Sequence, residues 1–242
     1  MTLFLMLTMQ KKRFLLIDLP FVILFALLLW KPFLFNLSSS FNTYIPTNKK
    51  SVGIDVSHHQ GDIAWGKLTN KGAVEPSIDF VFLKASEGVN HIDSDFEYNY
   101  KELNKLGIPS GAYHFFLPNK GSIQQANHFL KQIERKHFAL PPGLDVEIEG
   151  KYSRSLIDSV LVWLYHIESK TGKRPLIYCP WHFYNSIFNT TFENYKFWVA
   201  RYSAQIDFDK HPNIIYWQFT DKASLPYHKT KVDVNVSPIL FN

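Results

Sequence analysis

The sequence predicts an α/β fold: a single-domain (β/α)8-like barrel, flattened and with short or missing last helices, preceded by an N-terminal hydrophobic anchor or signal. Three observations predict it. Eight short apolar runs, rich in β-branched and aromatic residues, recur between residues 52 and 237. Amphipathic helical patterns separate most of them, and strand–helix alternation implies parallel strands joined by crossovers. The stretch from Ser51 onward is about 190 residues, lean for a barrel whose usual size is about 250, and little of it lies between the last runs.

The chain opens with Lys11-Lys12-Arg13 ahead of FLLIDLPFVILFALLLW, residues 14–30. A basic flank before a short apolar stretch marks a signal peptide or a membrane span. Residues 1–36 therefore read as a cytoplasmic basic flank with a transmembrane anchor or signal peptide. With no clear A-x-A-like cleavage site, a single N-terminal span is expected, with the domain that follows exported to the periplasm or outside. Secretion after cleavage is the alternative. Residues 37–50, LSSSFNTYIPTNKK, read as a linker, and 51–242 as the barrel domain.

The expected strands are VGIDVS (52–57), FVFLKAS (80–86), GAYHFF (111–116), GLDVEI (143–148), LIYC (176–179), FWVARY (197–202), IIYWQF (214–219) and VDVNVS (232–237). After the second, DFEYNYKELNKLG places Phe96, Tyr100, Leu103 and Leu106 on one helical face and stops at Gly107. SIQQANHFLKQIERK starts at a Ser122 cap. SRSLIDSVLVWLYHIESKTG carries Leu156, Val160, Trp163, Leu164 and Ile167 at helical spacing and stops at Gly172.

Composition narrows the function. The net charge is +5, but residues 1–50 hold six of the 26 basic residues and one of the 21 acids, leaving twenty of each in the domain. No basic stripe suited to nucleic acid is evident. The one cysteine, Cys179, excludes an intramolecular disulfide framework and reads as a small buried residue. His58-His59 and His114 lack metal-ligand spacing, so no metal and no cofactor is expected. His114 alternates with Tyr113 and so points away from the barrel centre, towards the pocket rim.

Asp145 and Glu147 sit two apart on the fourth run, so both side chains share one face, with Cα atoms about 6.5–7 Å apart. Like-charge proximity and burial push one carboxyl pKa up. A protonated acid beside an ionised one is what glycoside cleavage requires. Taken alone, D-x-E is more often a solvent-facing strand end. Asp55 on the first run and Asp233 on the eighth change the balance, because closure makes those strands neighbours. All four acids are expected at the strand C-terminal ends. Tyr113, Tyr178 and Trp198 offer ring faces for sugars, with Trp198 and Trp217 equally suited to packing. Gln218 offers hydrogen bonds to sugar hydroxyls, and Glu87, which ends the second run, offers them to the substrate or to other strand-end loops.

In order along residues 51–242, GIDVSHHQGDIAW, FLKASEG, GAYHFF, GLDVEIE, PLIYC, FWVARYS, YWQFT and VDVNV resemble glycoside hydrolase family 25, the Chalaropsis-type lysozymes or N-acetylmuramidases. The resemblance implies a flattened barrel that cleaves the β-1,4 bond after N-acetylmuramic acid in the glycan strands of peptidoglycan. It implies Glu147 as general acid and Asp145 as stabiliser of the cationic sugar or orienter of the acetamido group. Asp55 and Asp233 complete the acidic floor. Two segments depart from the pattern. Ala64 stands where an acid often precedes the tryptophan, and DKASLPYHKTK (221–231) replaces a glycine-rich loop. The chain is expected to act as a monomer. The competing readings are a chitinase-like hydrolase or glucosaminidase using substrate acetamido assistance, with Gly143 where that motif has an acid, and a catalytically inactive, membrane-tethered glycan-binding module.

Overall fold

The structure is a computed structural model and describes residues 35–68, 72–147 and 154–241. The apolar segment at 14–30 and the end of the fourth run at Ile148 lie outside the described residues. The chain divides into two compact units. The smaller includes residues 35–37 and Tyr44–Asn48, where the backbone is extended. The larger takes Ser38–Thr43 together with the chain from Lys49 onward. Part of the stretch expected as a linker is thus built into the larger unit. There Phe41 is buried, its carbonyl accepts from the Ser224 amide at 2.9 Å, and the Ser38 hydroxyl donates to the Glu75 carbonyl.

The larger unit is a closed eight-stranded barrel. Its strands are β1 (Ser51–Val56), β2 (Phe80–Glu87), β3 (Ser110–Phe115), β4 (Gly143–Asp145), β5 (Leu176–Pro180), β6 (Lys196–Ala200), β7 (Ile214–Ala223) and β8 (Val232–Ser237). Neighbours from β1 to β7 pair in parallel, and β1 also pairs with β8, which closes the sheet. The two-residue strand His91–Ile92 extends β2 at its end.

The eighth strand departs from the all-parallel expectation. It runs antiparallel to both β7 and β1. The cause is connection length. A parallel crossover needs a dozen or more residues, and only the short segment 224–231 links β7 to β8. Reversal puts the N-terminal end of β8 beside the C-terminal end of β1, so Asp233 stands opposite Asp55.

The helices follow the same economy. α1 (Trp65–Leu68) is one turn, while α2 (Phe96–Leu106), α3 (Ser122–Ile133) and α4 (Arg154–Thr171) are full crossovers. After β5 there is only an irregular helical stretch, Trp181–Thr191, with a π-helical centre. Between β6 and β7 the chain forms turns and no helix. Gly107 and Gly172 end α2 and α4 at φ 69° and 67°, where a side chain would strain the backbone. The buried face of α2 is Phe96, Asn99 and Leu103, and Leu106 is exposed. Asn99 turns inward because its side chain accepts from the Trp65 indole at 2.8 Å. α3 is capped by Gly121 rather than Ser122, which is already helical and makes no capping bond. The five apolar residues expected on α4 are all buried.

Inside the barrel, Phe80, Phe82, Tyr113, Tyr178, Trp198 and Tyr216 form an aromatic plug. Phe82 stacks on Trp198 at 4.4 Å, and Phe80 lies 5.1 Å from Tyr216. Gly53 admits the Phe80 ring, since a Cβ there would sit 2.4 Å from it. The plug fills one end and leaves a floor for the other.

Candidate active site

Alternation along each strand decides which residues face the barrel interior. β1 contributes Asp55, β4 Asp145, β5 Tyr178, β6 Trp198, β7 Gln218, and β8 Asp233 and Asn235. Above the plug all of these but the fully buried Asn235 line a cleft of about 230 Å³ with Lys84, Tyr113, Phe115, Glu147 and Tyr202, and with Ser57, His59 and Gln60 at the mouth. All four acids picked out from the sequence lie in this cleft.

Asp55 is buried. Its Oδ2 accepts from Asn235 Nδ2 at 2.7 Å and from Gln218 Nε2 at 2.9 Å. Asn235 is itself fixed by the Trp198 indole at 2.6 Å, and Gln218 by the hydroxyls of Tyr178 (2.9 Å) and Tyr202 (2.6 Å). Burial pushes the Asp55 pKa up to about 6, against the two amide donors that pull it down. Asp233 hydrogen-bonds Asp55, and burial, then the Asp55 charge, push it up to about 9. Asp233 therefore carries the proton of the pair and donates it to Asp55.

Asp145 is buried at the last position of β4. Burial and the neighbouring Glu147 hold its pKa well above the usual carboxylate range, with Lys84 the main opposing charge. Its Oδ1 is buried and has no hydrogen-bond partner among the described residues. β4 stops there, so Glu147 lies past the strand end and is exposed at the cleft. The i, i+2 pair thus places one acid in the wall and one at the opening.

Lys84 was not singled out from the sequence. It is buried, and its Nζ donates to Glu87 Oε2 at 2.8 Å and sits 4.8 Å from the Phe115 ring centroid. The β2–β3 register slips between Lys84 and Ser86. Such a bulge re-aims the residues after it. Ser86 turns outward to His114 Nδ1 at 2.9 Å, and Glu87 returns to Lys84 rather than lining the cleft. His114 does not reach the rim. It is fully buried under α3 and α4, close to Gln125 Oε1 at 3.3 Å and stacked on Trp163, and burial lowers its pKa to about 3.

Tyr113 and Tyr178 line the cleft but are buried, so little of either ring is open to it. Trp198 is almost completely buried between Phe82, Tyr113 and Tyr178. Trp217 points outward and donates to the Arg201 carbonyl at 2.8 Å. Cys179 is buried, which raises its thiol pKa well above normal. Asn235 and Tyr202 were also missed. The signal for Asn235 was present, because it stands two residues after Asp233 on the same strand face.

Comparison with known proteins gives a consistent picture. The family model for glycosyl hydrolases family 25 matches residues 54–228. YegX, an uncharacterized protein of Escherichia coli K12, is 33% identical over 198 residues, covering 81% of this chain and 73% of its own. Lysozyme M1 of Streptomyces globisporus is 32% identical over 184 residues, 69% of this chain and 61% of its own. A solved family 25 glycosyl hydrolase from Bacillus anthracis superposes with a TM-score of 0.70 at 26% identity, covering 79% of this chain and 90% of its own.

Proposed function

The chain belongs to glycosyl hydrolase family 25, and from that premise we propose that it is a muramidase, hydrolysing the β-1,4 bond between N-acetylmuramic acid and N-acetylglucosamine in bacterial peptidoglycan. The observation that carries this reading is the division of labour at β4. Asp145 is buried with an oxygen that has no hydrogen-bond partner among the described residues, and Glu147 is exposed on the same cleft.

Glu147 is the general acid. It stands at the opening, where a glycosidic oxygen can reach it, and gives that oxygen its proton as the bond breaks. Asp145 acts from below. Its free Oδ1 accepts the acetamido N–H of the sugar. An amide donor at that oxygen favours the ionised form and so opposes the burial that raises the Asp145 pKa, which favours a carboxylate facing the developing positive charge. Asp55 and Asp233 form the floor and share one proton. Asn235, Gln218, Tyr178 and Tyr202 hold that floor rigid through the chain of bonds described above.

Every residue that lines the cleft comes from one chain, so a monomer suffices. No described helix is long and apolar enough to cross a membrane. The apolar stretch at 14–30 supports a single N-terminal anchor with the barrel exported, on sequence grounds.

Digestion of purified cell walls, with mass spectrometry of the new reducing ends, tests the assignment. Muramic acid ends are expected. Glucosamine ends would make the protein a glucosaminidase, and binding without products would make it a glycan-binding module.

A further inference from the structure

β5 and β6 are neighbours in the barrel, and just past their C-terminal ends stand Trp181 and Arg201. The Arg201 guanidinium carbon lies 3.9 Å from the centroid of the Trp181 ring. Trp181 is in turn set edge-on against His211, with ring centroids 5.2 Å apart. Arg201 Nη1 donates to the Gln205 carbonyl at 3.2 Å, and Nε is buried with no partner among the described residues. A guanidinium has five N–H donors and matches a planar carboxylate.

None of the ion pairs among the described residues includes Arg201. The acid on the same loop, Asp207, is engaged by Lys210 Nζ at 3.5 Å and by the amides of Asp209 and Lys210. Burial lowers the Arg201 pKa, with no carboxylate opposing it. A cation partly withdrawn from water and set over an indole, with no anion beside it among the described residues, is an incomplete arrangement.

Its position says what completes it. The adjacent residue, Tyr202, is exposed and lines the acidic cleft. Around the rim the strand order is β4, β5, β6. Arg201 is therefore two strands from the one that carries Glu147, about 10 Å at ordinary strand spacing. Arg201 and Trp181 stand outside the lining of the cleft, so what can reach Arg201 is a substituent that branches from a bound glycan towards the β5–β6 rim.

We propose that Arg201, held on Trp181, is a subsite for a carboxylate of the stem peptide attached to muramic acid. It makes the enzyme prefer peptide-bearing strands over bare glycan. This rests on the muramidase reading and refines its substrate. Trp181 sets the plane of the fork, and His211 supports Trp181.

The test compares three substrates: glycan strands with intact stem peptides, the same strands after an amidase has removed the peptides, and strands whose peptide carboxylates have been amidated. Arg201→Gln should lower kcat/KM on the intact strands by about 10- to 100-fold, the span of one charge-assisted contact. The loss should appear in KM, with kcat little changed. The stripped and amidated strands should be cleaved equally by wild type and variant. Arg201→Lys, which keeps the charge and loses the fork, should recover part of the loss. Equal losses on all three substrates would show that Arg201 only supports the fold, and unchanged kinetics on intact strands would remove the subsite; either outcome overturns the proposal. If wild-type protein cleaves none of the three, the muramidase reading falls and the subsite falls with it.

Discussion

At the scale of single residues, the cleft turns on one acid that gives a proton to the substrate and on a floor pair, Asp55 and Asp233, that shares one. Glu147→Gln keeps size and shape but has no proton to give. General acid catalysis contributes about 10²–10⁴-fold, so wall lysis should fall by that range while binding to purified walls persists. Lysis at the wild-type rate would end the assignment of Glu147. The floor pair makes a different prediction. Asp233 is raised to about 9, against about 3.9 for an unfolded aspartate. Between those values the folded state holds a proton that the unfolded state has lost, so this group's contribution to stability falls as pH rises from about 4 towards 9. Asp233→Asn keeps a donor for Asp55 and does not titrate. Its Tm relative to wild type should therefore climb across that window. A difference that stays flat between pH 4 and 9 would show that the two acids do not share a proton. The sequence named all four acids. It did not show Lys84, because a lysine in an apolar strand looks like an outward residue until its carboxylate partner is found.

At the scale of elements, close approach and connection length set the architecture. β1 passes so near the Phe80 ring that Gly53→Ala must displace an aromatic in the plug. Such overpacking costs about 1–3 kcal/mol, measurable as a shift in the urea midpoint. The approach also lies below the acidic floor, so the loss should be one of stability first. A second element-level prediction concerns residues 38–43. Phe41 is buried, and its carbonyl holds the Ser224 amide. A chain that starts at Ser38 should be as stable as a longer one. A chain that starts at Ser51 should lose roughly 1.5–3 kcal/mol, the contribution of one large buried side chain. Equal melting of the two would mean that residues 38–43 are only a linker. Composition alone suggested a linker over residues 37–50, because three serines, two asparagines and a proline hide a single anchoring phenylalanine.

For the whole molecule, the barrel and the leader separate cleanly in charge. The stretch beyond residue 50 balances its acids and bases, and the excess positive charge belongs to the leader. Full-length protein should fractionate with membranes, and the chain from Ser38 should be soluble and active on isolated walls. N-terminal sequencing of the exported protein checks the first half. A mature terminus near Ser38–Asn42 would identify a cleaved signal in place of an anchor. Closure also makes the first and last strands a single functional edge. Asp55 and Asp233 are far apart in sequence and directly opposite in register.

The sequence by itself determined the eight strands, the three long helices, the four acids and their common end of the barrel. Those features follow from periodicity and spacing, which are local. Period-two alternation fixes which residues share a face, and a strand–helix rhythm fixes a parallel sheet with its chemistry at one end. Tertiary structure alone decided three things: the slip in β2 that sends Ser86 outward and Glu87 back to Lys84, the burial of His114 under two helices, and the bonds from Asn235 and Gln218 to Asp55. Each depends on which side chain stands across from which after the barrel closes. A residue's partners in a closed sheet come from strands more than 180 positions away, as Ser51 and Ser237 show, and no local pattern carries that information.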